Sequence, residues 1–257
     1  MEWDIGLLSH RYARIKAELH CVIDETDYRQ LDRYLPHLEE LARIENRSIS
    51  VYDVNRGTFI IKVDKHLDLL GYATADYERD LDVDRYHAMI HPDDLPFMYD
   101  AEIRMYDFLR DKGACKKDFK LVYDYRVRSK SGTYIRFLHQ MAILEYDRDF
   151  NSWLMLVISD VLDEHPKNEP PRRFIINTQN NTICLFNEEI GMTRELVTKR
   201  EREVLSLIAQ GLDSKTISER LFISPHTVNN HRQNILLKTR TKHIAQAVFY
   251  LKCIGIL

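Results

Sequence analysis

Apolar residues recur along this 257-residue chain with a period that changes from helical to strand-like and back. Ile5, Leu8, Tyr12, Ile15, Leu19 and Val22 follow at alternating steps of three and four, which predicts an amphipathic helix. The spacing is also that of a coiled-coil seam, but it lasts less than three heptads. Packing on the chain's own domain and pairing between copies therefore both stay open. A second series, Leu31, Leu35, Leu38 and Ala42, is interrupted by Pro36, which is expected to end or kink a helix near Leu35. Residues 1–46 read as a helical segment.

From 47 to 163 the period shortens. "SISVYDVNRGTFIIKV" predicts two strands about a turn from Asn55 to Gly57. "FKLVYDYRVR" alternates, with Phe119, Leu121, Tyr123, Tyr125 and Val127 on one face. "TYIRFLHQMAIL" and "WLMLVISDV" supply further strands, and helical stretches fall roughly within 64–112. Two strands, helices and three more strands imply a five-stranded antiparallel sheet covered on one face by helices. "LLGY" at 69–72, "IHPDDL" at 90–95 and "YRVRSKSGTYIRF" at 125–137 resemble the PAS sensor family in order and spacing, over about 115 positions, with Phe137 where many members carry Trp. A Pro-rich linker follows within 164–192, with a small hairpin expected around Gln179 to Asn181 whose role the sequence leaves open.

Composition changes the picture little, and charge changes it a great deal. A chain that is 44% hydrophobic and 30% charged has the composition of an ordinary globular protein. No apolar run is long enough to span a membrane and no basic-then-apolar leader opens the chain, so a cytoplasmic protein is expected. Cys21, Cys115, Cys184 and Cys253 lie too far apart in sequence for C-x-x-C chemistry. Residues 193–257 hold 11 Lys and Arg against 5 Asp and Glu, a net +6, which leaves −9 for the rest of a chain of net charge −3. A basic module is attached to an acidic one, a footprint expected for phosphate-backbone binding and, taken alone, equally that of a solvated face.

That module is punctuated as helices. Thr198 and Glu201 form a capping box and Gly211 a stop, Ser214 is expected to cap a short second helix, and Phe222-Ile223 make a corner before Ser224-Pro225 starts a third. A fourth helix is expected from about Thr241. At about 100° per residue, Val228 and Ile235 point to one side of the third helix, while Asn229, Asn230 and Gln233 point away from them. His231 falls on the inward side, where a hydrogen-bonded structural role is expected. The outward side is amide-rich and free of acids. Carboxamides carry a donor and an acceptor together, the pattern that reads adenine in the major groove, and carboxylates there would repel phosphate.

Residues 196–257 resemble the LuxR-type helix-turn-helix, through Arg200-Glu201, Gly211, "LFIS", "TV", His231, "NI" and Lys238. The resemblance implies a four-helix DNA-binding module whose third helix enters the major groove and whose fourth contributes to dimerisation. It implies base contacts at Asn229, Asn230 and Gln233; position 229 usually holds Lys in the family, so operator sequence is not inherited. Phosphate contacts are expected at Lys215, Thr227, Arg232 and Lys238, and at Arg200 unless it serves an ion pair inside the domain.

Other patterns lead away from catalysis. His87 and His91 stand four apart beside Asp93 and Asp94 but lack a third metal ligand. "DLDVD" at 80–84 starts like a calcium loop, yet Arg85 and His91 occupy the positions that need Gly and Glu. No phosphate loop or nucleophile elbow is present, so no enzyme is expected. Tyr123, Tyr125, Phe137, His139 and Met141 are the candidate lining of a sensor cavity; the packed core is the expectation, and no cofactor is assigned beyond an unidentified small molecule. The reading is an α+β chain. Helices 1–46, a PAS-like domain 47–163, a linker 164–192 and an all-α DNA-binding domain 193–257 make a one-component transcriptional regulator. Its expected partners are double-stranded DNA, a second copy through either the Ile5-to-Val22 stripe or Ile244, Val248 and Leu251, and RNA polymerase if it activates. The alternative is an interaction scaffold with a non-specific nucleic-acid-binding tail.

Overall fold

The computed structural model describes residues 4–32, 35–63, 70–72, 83–162, 169–184 and 193–257. Outside them lie much of the helical stretch expected in 64–112, Leu69 of "LLGY", the first three residues of "DLDVD", residues 163–168 and residues 185–192 of the linker. Among the described residues the chain forms two compact units, the first holding those up to Gln179 and Cys184, the second Asn180–Ile183 and residues 193–257.

In the first unit the helices α1 (Ile5–Glu18), α2 (Glu25–Leu31) and α3 (Leu35–Glu45) precede strands β1 (Ser48–Asp53) and β2 (Thr58–Val63). Asp4 caps α1 by accepting the Leu7 N–H at 3.0 Å. Pro36 sits in the first turn of α3, where its missing N–H costs nothing, so it opens a helix after the break instead of kinking one. The turn from β1 to β2 is set by Asp53, whose Oδ1 accepts the N–H groups of Asn55 and Arg56, and Gly57 takes a φ of +68°. Helices α4 (Val83–His87) and α5 (Leu95–Leu109) follow, then a 3₁₀ turn (Gly113–Asp118) and strands β3 (Phe119–Arg128), β4 (Tyr134–Tyr146), β5 (Ser152–Val161) and β6 (Arg173–Asn177).

The strands form an antiparallel sheet in the order β2-β1-β5-β4-β3-β6. The five expected strands are present, and β6, read from sequence as part of a separate linker hairpin, pairs with β3 from Phe119↔Asn177 to Tyr123↔Arg173. Because side chains alternate, Leu121, Tyr123, Tyr125 and Val127 share one face and pack with α1 and α5. Tyr12 and Ile15 of α1 are buried there, with Leu8 and Leu19 against them. Covering Ile15 alone contributes about 1.5–3 kcal/mol, so the middle of the proposed coiled-coil stripe is taken up inside its own unit. Only Ile5 and Val22 of that series remain exposed.

The opposite face is not bare, contrary to the expectation of helices on one side. Val51, Leu154 and Leu156 project there, and an apolar outward row needs cover. Leu31, Leu35 and Leu38 of α2 and α3 supply it, and the Tyr28 hydroxyl donates to buried Asp53 at 2.9 Å. Further along that face, Asp124 is fully buried between Arg136, which donates to its Oδ1, and Arg172, whose Nε donates to its Oδ2 at 2.8 Å. The PAS-like motifs meet at Asp94, whose carboxylate turns from its own helix to accept the Arg126 N–H at 2.9 Å and both arms of its guanidinium at 2.7 and 2.8 Å.

The second unit holds α6 (Lys199–Ala209), α7 (Ser214–Leu221), α8 (Pro225–Thr239) and α9 (Ile244–Cys253), after the short strands β7 (Thr182–Cys184) and β8 (Thr193–Glu195). Strands β6 and β7 flank the turn at Gln179 to Asn181 where the hairpin was expected. The capping box at Thr198 and Glu201 forms, and Gly211 closes α6 with a φ of +85°. Asp213, not Ser214, caps α7, since its carboxylate accepts the Thr216 N–H at 2.8 Å. Val204, Leu205, Ile217, Val228, Ile235, Ala247 and Leu251 form the core. Leu251 is thus unavailable for dimerisation; Ile244 and Val248 are half-buried, and Phe249 is the exposed apolar residue of α9.

Candidate functional site

Helix α8 is launched by Ser224, whose Oγ accepts the Thr227 N–H at 3.0 Å, with Pro225 in its first turn. The corner before it turns in three residues because Phe222 adopts the left-handed region, at a φ of +54°, and the Ile223 N–H returns to the Ser218 carbonyl. Val228 and Ile235 then bury fully, which fixes the rotation of the helix, and Asn229, Asn230 and Gln233 are left exposed. Asn234 joins them on the outer surface.

The cations sort into two groups. Lys215 is exposed at the start of α7, and Arg232 and Thr227 are half-buried on α8. Lys238 and Arg200 each hold a carboxylate within the unit, which for Arg200 is the ion-pair alternative. The Lys238 ammonium donates to Glu201 at 2.6 Å, and burial leaves Glu201 no cheaper partner. Hydrogen bonds from Lys238 and from the Thr198 N–H hold the Glu201 carboxyl below its usual range against the opposing effect of burial. Arg200 donates to Glu203 at 2.6 Å and to the Leu221 carbonyl at 2.7 Å, tying α6 to the end of α7. His231 is half-buried, and its ring makes no hydrogen bond among the described residues, so it packs without the expected partner.

The first unit contains a cavity of about 120 Å³ between the sheet and helices α1, α4 and α5. The packed core expected from sequence is therefore not what forms. Tyr123, Tyr125, His139 and Met141 line the cavity; Phe137 does not, because its ring lies behind His139, 6.0 Å between centroids. Glu102 accepts the hydroxyls of Tyr12 at 2.6 Å and Tyr123 at 2.8 Å. At the other end, Ser159 Oγ meets His139 Nδ1 at 2.8 Å, His139 Nε2 meets the Tyr86 hydroxyl at 3.3 Å, and Tyr86 meets Tyr125 at 3.1 Å. His87, on the α4 side, bonds the Tyr99 hydroxyl at 3.1 Å, while His91 packs its ring on Tyr134, so the two histidines serve different neighbours. Burial lowers the His87 pKa from 6.5 to about 4.

The pattern described as "Bacterial regulatory proteins, luxR family" matches residues 195–251. The spore germination protein GerE of Bacillus subtilis is 45% identical over 70 residues, which cover 27% of this chain and 95% of GerE. The chain belongs to the LuxR family. The transcriptional regulatory protein LiaR of Bacillus subtilis is 36% identical over 93 residues, 36% of this chain and 44% of LiaR, so the chain spans less than half of that relative. Among solved structures, GerE covers 25% of this chain and 96% of its own at 39% identity and a TM-score of 0.24. The phage VqmA–DPO complex covers 88% and 91% at 14% identity and a TM-score of 0.34.

In this LuxR-family chain the departure at position 229 has a local partner. Ser214 Oγ donates to Asn229 Oδ1 at 3.0 Å, joining α7 to α8 at the exposed surface. Sequence reasoning missed Ser214 because it assigned that hydroxyl to a cap; the signal was the adjacent Asp213, a cap at least as good, which frees the serine.

His87 gives the first unit a measurable acid response. An unfolded chain takes up the His87 proton near pH 6.5, whereas the folded unit resists until about pH 4. Stability is therefore lost as pH falls through that window, by roughly 3 kcal/mol for a shift of this size. Both tryptophans, Trp3 and Trp153, precede the second unit, so tryptophan fluorescence in urea follows the first unit alone. The His87→Phe chain should show a flatter loss between pH 6.5 and 4 than the unaltered chain; equal slopes would remove His87 as the cause.

Proposed function

We propose that this chain is a one-component, sequence-specific DNA-binding transcriptional regulator that acts as a homodimer in the cytoplasm and has no catalytic activity. Its first unit senses a small molecule, and its second reads DNA with the exposed carboxamides of α8. The observation that carries this is an acid-free row of Asn229, Asn230 and Gln233 opposite a fully buried Val228 and Ile235, on a helix launched by a short turn. Lys215, Thr227 and Arg232 supply the phosphate contacts that set its register. Membership of the LuxR family supports the reading, as does the similarity to LiaR, described as a transcriptional regulatory protein. Among the described residues no helix is long and apolar enough to cross a membrane. A homodimer sets two recognition helices about one DNA turn apart. If the chain activates transcription, RNA polymerase is a further partner.

The test is selection of bound sequences from random duplex DNA by the full-length chain. An inverted repeat with half-sites about 10 base pairs apart is expected. Recovery of DNA without any shared motif would support the scaffold alternative, in which the basic unit binds phosphate alone.

Ser214 refines the readout. With Asn229 Oδ1 engaged, the amide presents its N–H donors outward, which suits the acceptor edge of guanine better than the adenine that a free carboxamide would favour. The Ser214→Ala chain should shift preference toward adenine at one position of each half-site, by about 1 kcal/mol. An unchanged motif would place Asn229 away from the bases.

A further inference from the structure

The reading of the first unit as a sensor leaves its ligand unnamed, and the cavity's unmet hydrogen bonds bear on it. A cavity of about 120 Å³ is near the roughly 150 Å³ of an apolar cavity known to hold one benzene ring. The walls suit a ring: Tyr52, Phe59 and Tyr125 present aromatic surface, and Met98, Met141 and Met155 adapt to its edge. One planar ring with a small substituent is what fits.

The polar lining divides into groups that are satisfied and groups that are not. The phenols of Tyr12 and Tyr123 are used on Glu102, and Tyr86, Tyr125, His139 and Ser159 form their own chain. Four lining groups make no hydrogen bond or ion pair among the described residues: the Lys16 ammonium and the hydroxyls of Ser50, Tyr52 and Tyr106. Each can donate, and Lys16 can do nothing else. They gather about the Tyr52 side chain. Lys16 Nζ stands 4.5 Å from the centre of the Tyr52 ring, Ser50 precedes Tyr52 by two on the same face of β1, and Tyr106 lies in the field of the Tyr52 hydroxyl. The lone carboxylate of the lining, Glu102, stands one turn from Tyr106 on the same face of α5 and acts on it more strongly than Tyr52 does, while the phenols of Tyr12 and Tyr123 donate to it.

We infer that the cavity binds a small single-ring monocarboxylate, the ring held among the aromatic and methionine side chains and the carboxylate accepting from Lys16, Tyr106 and Ser50. An amine would meet Lys16 with like charge and would find only neutral hydroxyls to accept from it at that end. A neutral ring would leave the ammonium unpaired. Because Lys16 and Tyr12 come from α1, the bound acid also fastens that helix to the sheet.

Benzoate, benzamide and benzylamine separate these cases by charge at nearly constant shape. Titrated into the full-length chain by calorimetry, benzoate should bind at least tenfold more tightly than either of the others. Lys16→Met, which keeps the stem, should weaken benzoate tenfold or more and leave benzamide unchanged; Tyr106→Phe, which removes one oxygen from the wall, should weaken benzoate severalfold. Benzylamine or benzamide binding as well as benzoate, or benzoate failing to bind at millimolar concentration, overturns the inference. Its failure is separable from that of the regulator: a chain that selects an operator but ignores benzoate keeps its DNA reading, and one that binds benzoate but selects no sequence loses only that reading.

Discussion

The Asp124→Ala chain should lose about 3–5 kcal/mol of stability in its first unit, the cost of leaving buried guanidinium groups without their counter-charge. Asp124 is fully buried, and Arg136 and Arg172, both nearly so, converge on its two oxygens. The Asp124 N–H donates to the Arg172 carbonyl at 3.0 Å, and Arg136 donates to the Glu169 carbonyl at 2.5 Å, so the carboxylate also organises the chain leading into β6. Asp124→Asn keeps the shape and one good acceptor and should cost less. Urea unfolding followed by tryptophan fluorescence reads the effect in the first unit alone. Equal, small losses in both variants would mean that the pair contributes packing and not charge compensation. The location bears on the proposed sensing, because Tyr123 and Tyr125 on either side of Asp124 face the cavity. One strand thus carries cavity walls on one face and the anchor of β6 on the other.

The second large effect concerns DNA. Replacing Asn230 and Gln233 together by Ala should weaken binding to a selected site by about 2–6 kcal/mol, at about 1–3 kcal/mol for each lost base contact. Binding to unrelated duplex DNA should change little, and its steep salt dependence should persist, because Lys215 and Arg232 are untouched. Both side chains are exposed, so folding should be unaffected. Competition titrations at fixed ionic strength, with selected and unrelated duplexes, measure the two terms separately. Equal weakening on both duplexes would assign these amides to phosphate.

The recognition helix was legible because its signals are local: a Ser-Pro start, two inward aliphatic residues a heptad apart and an acid-free outer face need nothing from the rest of the chain. The strands were legible for the same reason, since alternation in "FKLVYDYRVR" fixes which residues face inward. What escaped the sequence depends on distant partners. That Lys238 goes to Glu201, 37 positions away, follows only from the packing of α8 on α6. Pairing of β6 with β3 joins segments about 50 positions apart, and no local pattern announces it. The cavity was missed because whether seven aromatic rings close a core or leave a hole is decided by their rotamers and by α1, not by periodicity. Ser214 was misread because a serine is equally at home as a cap and in the first turn, and Pro36 because a proline that stops one helix can equally stand in the first turn of the next.

The central claim is that exposed carboxamides on α8 face base edges. Its most direct measurement is the random-duplex selection run in parallel with the unaltered chain and with Asn230→Ala. The unaltered chain should return one motif, and the variant the same motif with preference lost at a single position of each half-site. An identical motif from both proteins, with every position intact, would contradict it.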